Sequence, residues 1–387
     1  MMRPLLLAVV LGISGVAMAQ PYGNEWIDYD KQYWKVKLLA PGVLESMWRI
    51  DSLTLANAGF PLGSIDAYDI QLFGREKEIP IWVQGEADSV FNNGDYIEFH
   101  AENSNGWNDA AHWENPGLQN NKYYNLYNDT ICYYLTVAAP GETAKRILPY
   151  QNTDFGGLPQ RSWYWGEKVL VNNAGYRKGE VDFVGAQSSF MGSGEGWVSA
   201  LANDVWDNVP SSFNNILNPV QVYTGAGAPD GVLTTMTMGQ NSHCGNLTLP
   251  THHVQLALGP GGGQSIIYND TTTAFETVHH TIPIPVNLMV PTCSLTFIAQ
   301  DIMPAWCPTP VPTCITSLAD IRLEYPHTMD MNGGTTFKMW LPDDPNEDDA
   351  NCTFTNVTGF PVFHVMNNDT TWRVVATSGG GSTWNAR

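Results

Sequence analysis

The sequence predicts an all-β protein: an N-terminal β domain with one short helix, then a β-sandwich domain of jelly-roll-like type. Three observations predict it. Gly (36) and Pro (25) are abundant while charged residues fill only 14% of 387 positions, as in a chain that turns often and pairs in sheets. Aromatic residues reach 11%, with 14 Trp, which suits half-buried pleated surfaces. Short runs alternate apolar and polar residues between Gly, Pro and Asn clusters, and no alternating βαβα pattern is present.

Taken in order, residues 1–19 have the form of a signal peptide. Met1-Met2-Arg3 is a basic start, Leu5 to Val16 is apolar, and Ala17-Met18-Ala19 fits a cleavage site. The apolar run is too short for a membrane span. Residues 20–150 are expected to form the N-terminal β domain. Tyr33 to Leu39 alternates, with Trp34, Val36 and Leu38 on one face and Lys35 and Lys37 on the other. A second strand ends in Trp48-Arg49-Ile50. Asp51 then suits the N-cap of a helix through Ala58, with Gly59 as its stop and Pro61 beyond. Ile70 to Phe73 is a strand that Gly74 helps to turn, and Ile79 to Val83 returns, with Pro80 marking an edge or bulge. Asn93-Gly94 supplies a tight turn, Tyr96 to His100 a strand, and Asn105-Gly106 a second turn signal. Glu98 and His100 are expected on the solvent face of that strand rather than as an acid–base pair. Ile131 to Val137 is a long apolar strand, and Gly141 to Pro149 marks the boundary.

Residues 151–330 are expected to form the sandwich. Its strand-like runs are Val232 to Met238, Val254 to Leu258, Ser265 to Tyr268, Leu295 to Ile298 and Asp320 to His327. Residues 331–387 are expected as terminal strands and a linker toward a missing downstream domain. Phe360 to Val365 and Trp372 to Val375 supply the strands, and Ser378 to Ser382 reads as a loop.

Charge bounds the partners. The chain holds 18 basic and 38 acidic residues, net −20, which repels phosphate backbones and disfavours nucleic acid. Six cysteines in an exported chain permit disulfides. Cys307 and Cys314 flank a Pro-rich loop where a local bridge is plausible, and no CxxC pair suggests zinc. Six Asn-x-Ser/Thr sequons, at Asn128, Asn246, Asn269, Asn351, Asn356 and Asn368, would be glycosylated surface in a eukaryote and turn chemistry in a bacterium.

No residue earns assignment as catalytic, cofactor-binding or metal-binding. His243-Cys244 resembles a dyad, but adjacent strand residues point to opposite faces, and a loop Cys is the expected reading. The same alternation separates the rings within His252-His253 and His279-His280, which are expected at exposed strand ends. Asp343 to Asp349 offers oxygen ligands suited to calcium, but without EF-hand spacing it is expected as a solvated loop. Gly259 to Gly263 lacks a following Lys-Ser/Thr and helix, so it is a turn and not a phosphate loop. Trp163-Tyr164-Trp165 could stack on sugars, though sheet packing is its expected use.

Several fragments resemble one family in order and spacing. They are Glu25-Trp26-Ile27-Asp28, Tyr33-Trp34-Lys35, Trp48-Arg49-Ile50, Ala58-Gly59-Phe60-Pro61, Gln71-Leu72-Phe73, Gly94 to Phe99 with Asn105-Gly106-Trp107, and Tyr123 to Leu126 with Tyr133 to Thr136. Together they resemble the N-terminal region of gingipain-related cysteine peptidases, above all the PorU-like proteins of the type IX secretion system. Gly194 to Trp197 and Asp320 to His327 resemble later pieces, with His327 where the family carries Arg. The family's Gly-Val-Tyr-Arg-Ile pattern is interrupted here between Val43 and Trp48.

The resemblance implies a catalytic Cys and His in an α/β domain downstream of this β region, so no catalytic residue is carried over. It also implies an exported, non-catalytic β region at the periplasm, outer-membrane surface or extracellular space of a Bacteroidetes-type bacterium. Its partners would be the downstream peptidase domain and secretion-system proteins, with protein substrates reached through the parent cysteine endopeptidase or sortase-like enzyme. The alternative is a stand-alone secreted adhesin or carbohydrate-binding β protein.

Overall fold

Alternation builds the first unit. The computed structural model describes residues 25–39, 42–152, 154–180, 189–202, 212–242, 248–302, 314–344, 349–367, 370–374 and 378–387. The expected signal peptide, His243-Cys244, Cys307, Asn246, Asn368 and the middle of the acidic run lie outside them. In β1 (Trp34–Leu38) Leu38 is buried while Lys35 and Lys37 are exposed. β2 (Glu45–Asp51) ends at Asp51, whose carboxylate accepts from the Thr54 N–H at 2.7 Å and caps α1 (Ser52–Asn57). Then come β3 (Ile70–Gly74), β4 (Lys77–Ile79), β5 (Ile81–Gln84), β6 (Tyr96–Glu102) and β7 (Ile131–Val137). They form two sheets, ordered β1-β7-β3-β4 and β2-β6-β5. Leu72, Ile81, Phe91, Ile97, Phe99, Tyr133 and Leu135 fill the space between. Each such buried side chain contributes roughly 1.5–3 kcal/mol.

Two local expectations change. The β3–β4 turn is made by Arg75 and Glu76, both at positive φ (51° and 64°). Gly74 is needed instead because a Cβ there would meet the Tyr133 ring at 2.2 Å. Pro80 does more than mark an edge. On one side of it β4 pairs with β3; on the other β5 pairs with β6 in the second sheet. A residue without an N–H suits the corner where a strand leaves one ladder for another.

The middle of the chain comprises β8 (Leu148–Tyr150), β9 (Gln160–Arg161), β10 (Trp163–Leu170), β11 (Gly175–Lys178), β12 (Glu195–Val198), β13 (Ser212–Ile216) and β14 (Gly231–Gly239). β15 (Pro250–Pro260), β16 (Ser265–Thr273), β17 (Thr277–Ile284), β18 (Cys293–Asp301), β19 (Thr316–Leu318) and β20 (Ile321–Thr328) complete it. One sheet runs β10-β20-β14-β17 with β19 on β14; the other runs β13-β18-β15-β16. Leu233, Ile321 and Leu323 of the first pack with Leu256, Leu295 and Phe297 of the second in one core, which makes this unit a sandwich. The glycine run after Leu258 turns β15 into β16. β13 and β17 escaped the sequence because Asn214-Asn215 and His279-His280 interrupt their apolar alternation.

The tail folds back. β21 (Asn351–Phe354), β22 (Phe363–Asn367), β23 (Thr370–Val374), β24 (Ser378–Gly380) and β25 (Thr383–Ala386) follow. Residues 378–382 are therefore not a plain loop: β24 and β25 form a hairpin whose turn includes Gly381 at φ 64°. β23 pairs in parallel with β8, and β21 in parallel with β9.

Candidate functional site

The outer face of the β2-β6-β5 sheet is where the strands before residue 150 meet the tail. Ile97, Phe99 and Ala101 point inward, so Glu98 and His100 must point out. Glu98 is nonetheless only 6% exposed. It accepts from Arg49 Nε at 3.1 Å and Nη2 at 2.6 Å. Arg373 Nε of β23 lies 3.2 Å from its other oxygen, and His364 of β22 lies 4.0 Å away. The Arg373 guanidinium also sits 4.8 Å above the Trp82 ring, a favourable cation–π position. The expected solvent face is thus a covered one, because β22 and β23 lie over it.

The seam continues toward the sandwich. His100 Nε2 is 3.0 Å from Glu45 Oε2. Glu45 pairs with Lys338, whose Nζ also lies 3.5 Å from Glu167 Oε1. Arg322 then bridges Glu167 at 2.9 Å and Glu324 at 2.8 Å. Burial lowers the affinity of His100 for a proton and pushes His364 down to about 4, against the pull of Glu98. Both rings are therefore neutral at neutral pH. Lys338 is also pushed down by burial.

Beside this seam a groove of about 940 Å³ opens, bordered by Leu44, Glu45, Glu167, Val169, Ile216 and Lys338. It brings together an end strand of each of three sheets: β2, β10 and β13.

The residues singled out in the sequence gather nowhere. His280 is 4% exposed, 2.8 Å from Thr237 Oγ1 and pushed down to about 4 by burial; His279 faces solvent. His252 is fully buried, with Nε2 2.7 Å from the Ala274 carbonyl, while His253 reaches Asn269 Oδ1 at 2.6 Å. Each pair is split across its sheet as alternation requires. One member of each lies in the interior rather than at an exposed strand end, because these strands run through the sandwich. Among the described residues no three His, Cys, Asp or Glu side chains form a metal-holding group. The flanks of the acidic run are spent on arginines: Asp344 on Arg161 at 3.1 Å and Asp349 on Arg387.

Cys293 and Cys352 are buried, which raises both thiols, Cys352 to about 11. They hold their protons at neutral pH, the opposite of an activated nucleophile. Tyr164 is buried and stacked on His327 at 4.7 Å, while the half-buried Trp163 and Trp165 meet edge-on at 5.1 Å. His327 is itself buried and kept neutral by burial.

Sequence reasoning missed the whole seam. A glutamate between Ile97 and Phe99 reads as a solvent-facing residue, and nothing local announces the strands that cover it.

No family model matches the sequence, and no curated protein matches it. Among solved structures, the chain is similar to dimeric latent PorU from Porphyromonas gingivalis, with a TM-score of 0.54 at 12% identity. That likeness covers 92% of this chain and 31% of that one. The fold is therefore PorU-like, and the chain spans about a third of that structure's length. An infectious bursal disease virus particle (TM-score 0.23, 9% identity, 77% of this chain and 71% of that chain) is too distant to support any inference.

Proposed function

We propose that this chain is the non-catalytic N-terminal β region of an exported, surface-associated cysteine peptidase of the PorU and gingipain type, acting in type IX protein secretion. The observation that carries this reading is a likeness running through 92% of this chain yet accounting for 31% of the PorU chain. A parent of that kind would carry its peptidase elsewhere. The ionic seam suits a platform that holds the strands before residue 150, the sandwich and the tail in one orientation.

Sequencing the gene beyond the codon for Arg387 tests the reading. The expected result is an open frame encoding a parallel α/β domain with a His-Gly element and, later, a Cys following a strand. A stop codon directly after Arg387 would overturn it. Residues 20–387, purified alone, are expected to leave unfolded protein substrates uncut; cleavage that survives repurification would refute the non-catalytic assignment.

A further inference from the structure

The groove is bordered by strand edges of β10 and β13. Trp165 of β10 donates its N–H to the Trp340 carbonyl at 2.8 Å and accepts from the Trp340 N–H at 3.1 Å. The backbone groups of Trp165 thus point away from β20, its ladder partner. Direction alternates along an antiparallel strand, so Glu167 and Val169 aim their N–H and C=O groups the same way. They have no backbone partner on that side among the described residues. Across the groove the outer edge of β13 likewise has no strand partner among the described residues. Leu217 donates to the Cys293 carbonyl, so Asn214 and Ile216 turn their backbone groups outward. The rim keeps apolar surface in solvent: Ile216 is 64% exposed and Val43 40%.

The chain carries its own partial template. Counting back from the Trp165–Trp340 bridge in antiparallel register sets Lys338 opposite Glu167, and its ammonium lies 3.5 Å from that carboxylate. Only the Trp340 rung of this ladder is made. The charged side chains lining the groove are Glu45 and Glu167 against Lys338, so 1 − 2 = −1, in a molecule of net −20. A further cation is complementary to that balance.

We infer that the open edge of β10 takes up an extended segment of a partner polypeptide, antiparallel to β10, with a lysine or arginine side chain at the position facing Glu167. Main-chain hydrogen bonds to Glu167 and Val169 supply affinity and register, as in strand addition generally, and the acidic pair Glu45 and Glu167 supplies the preference for a basic side chain. The inference goes beyond the peptidase reading and does not depend on it.

The probe is a fluorescein-labelled nine-residue peptide of alternating threonine and valine with a central lysine, and a twin with central glutamate. Anisotropy titration of the full chain is expected to show the lysine peptide binding at least tenfold more tightly than its twin. Hydrogen exchange is expected to show new protection at Glu167 and Val169. Val169→Pro removes one groove-facing N–H and no bond to β20, so it is expected to fold and to weaken binding at least tenfold; Lys168→Pro, which does break the β20 ladder, is the unfolding control. Glu167→Lys is expected to reverse the preference in favour of the glutamate peptide, and it decides the matter if Val169→Pro fails to fold. Equal affinity for both peptides, undiminished binding by folded Val169→Pro, or no reversal by Glu167→Lys overturns the proposal. So does full protection of Glu167 and Val169 in the free protein, which would mean that residues 336–340 already close the edge.

Discussion

Glu98 is the residue on which the sequence and the structure differ most. A carboxylate this deeply buried needs its partners, and it has Arg49 on its own sheet and Arg373 above. Removing the anion leaves Arg373 facing no counter-charge at a buried site, which costs on the order of 3 kcal/mol. Removing Arg49, whose side chain is 54% exposed, costs about 1 kcal/mol or less. Urea unfolding of Glu98→Ala and Arg49→Ala is expected to rank them in that order, and equal losses would refute the burial argument. The buried histidines make a second prediction. His280 and His364 are held near 4 when folded against about 6.5 unfolded. Between those values the unfolded chain binds more protons, so stability falls as pH drops from 6.5 toward 4. Asp320, raised to about 7 by burial, works in the opposite sense, since its protonated folded form loses stability as pH rises. The histidine contribution is isolated by comparison: His280→Gln and His364→Gln are each expected to flatten the fall in stability between pH 6.5 and 4.5.

At the level of elements, propensity and turn chemistry located most strands, while steric need and sheet membership came from elsewhere. Gly74 looks like a turn residue, yet the β3–β4 turn uses Arg75 and Glu76 and the glycine makes room for Tyr133. Gly74→Ala is expected to lower stability by about 2–3 kcal/mol through overpacking, and calorimetry of this variant and of Gly74→Ala with Tyr133→Leu checks the cause. The second substitution should recover part of the loss. Pro80 was legible as an interruption, but only the packing shows that β4 and β5 belong to different sheets. β17 was not legible, because His280 stands at a buried position where alternation calls for an apolar residue, and its ring is satisfied by Thr237, a neighbour that only the folded sheet supplies.

Across the whole molecule, the two ends of the chain share one interface. β8 pairs with β23, and Arg373 reaches back to Glu98 and Trp82. Substitutions at opposite ends should therefore couple. A double-mutant cycle of Glu98→Ala with Arg373→Ala is expected to give an interaction energy of about 1–3 kcal/mol, read from unfolding curves. A value near zero would mean that the tail rests on the first unit without stabilising it.

By itself the sequence determined the all-β class, the helix cap at Asp51, the main strands of the first unit and of the sandwich, and the opposite facing of the paired histidines. These follow from local rules: side-chain alternation, capping and turn chemistry act over a few residues and are written in consecutive positions. The tertiary structure alone decided that Glu98 is covered, that Lys338 joins Glu45 to Glu167, and that three strand edges open on one groove. Those features depend on contacts between residues far apart in the chain, and no local pattern of polarity records which distant strand will lie over a given face.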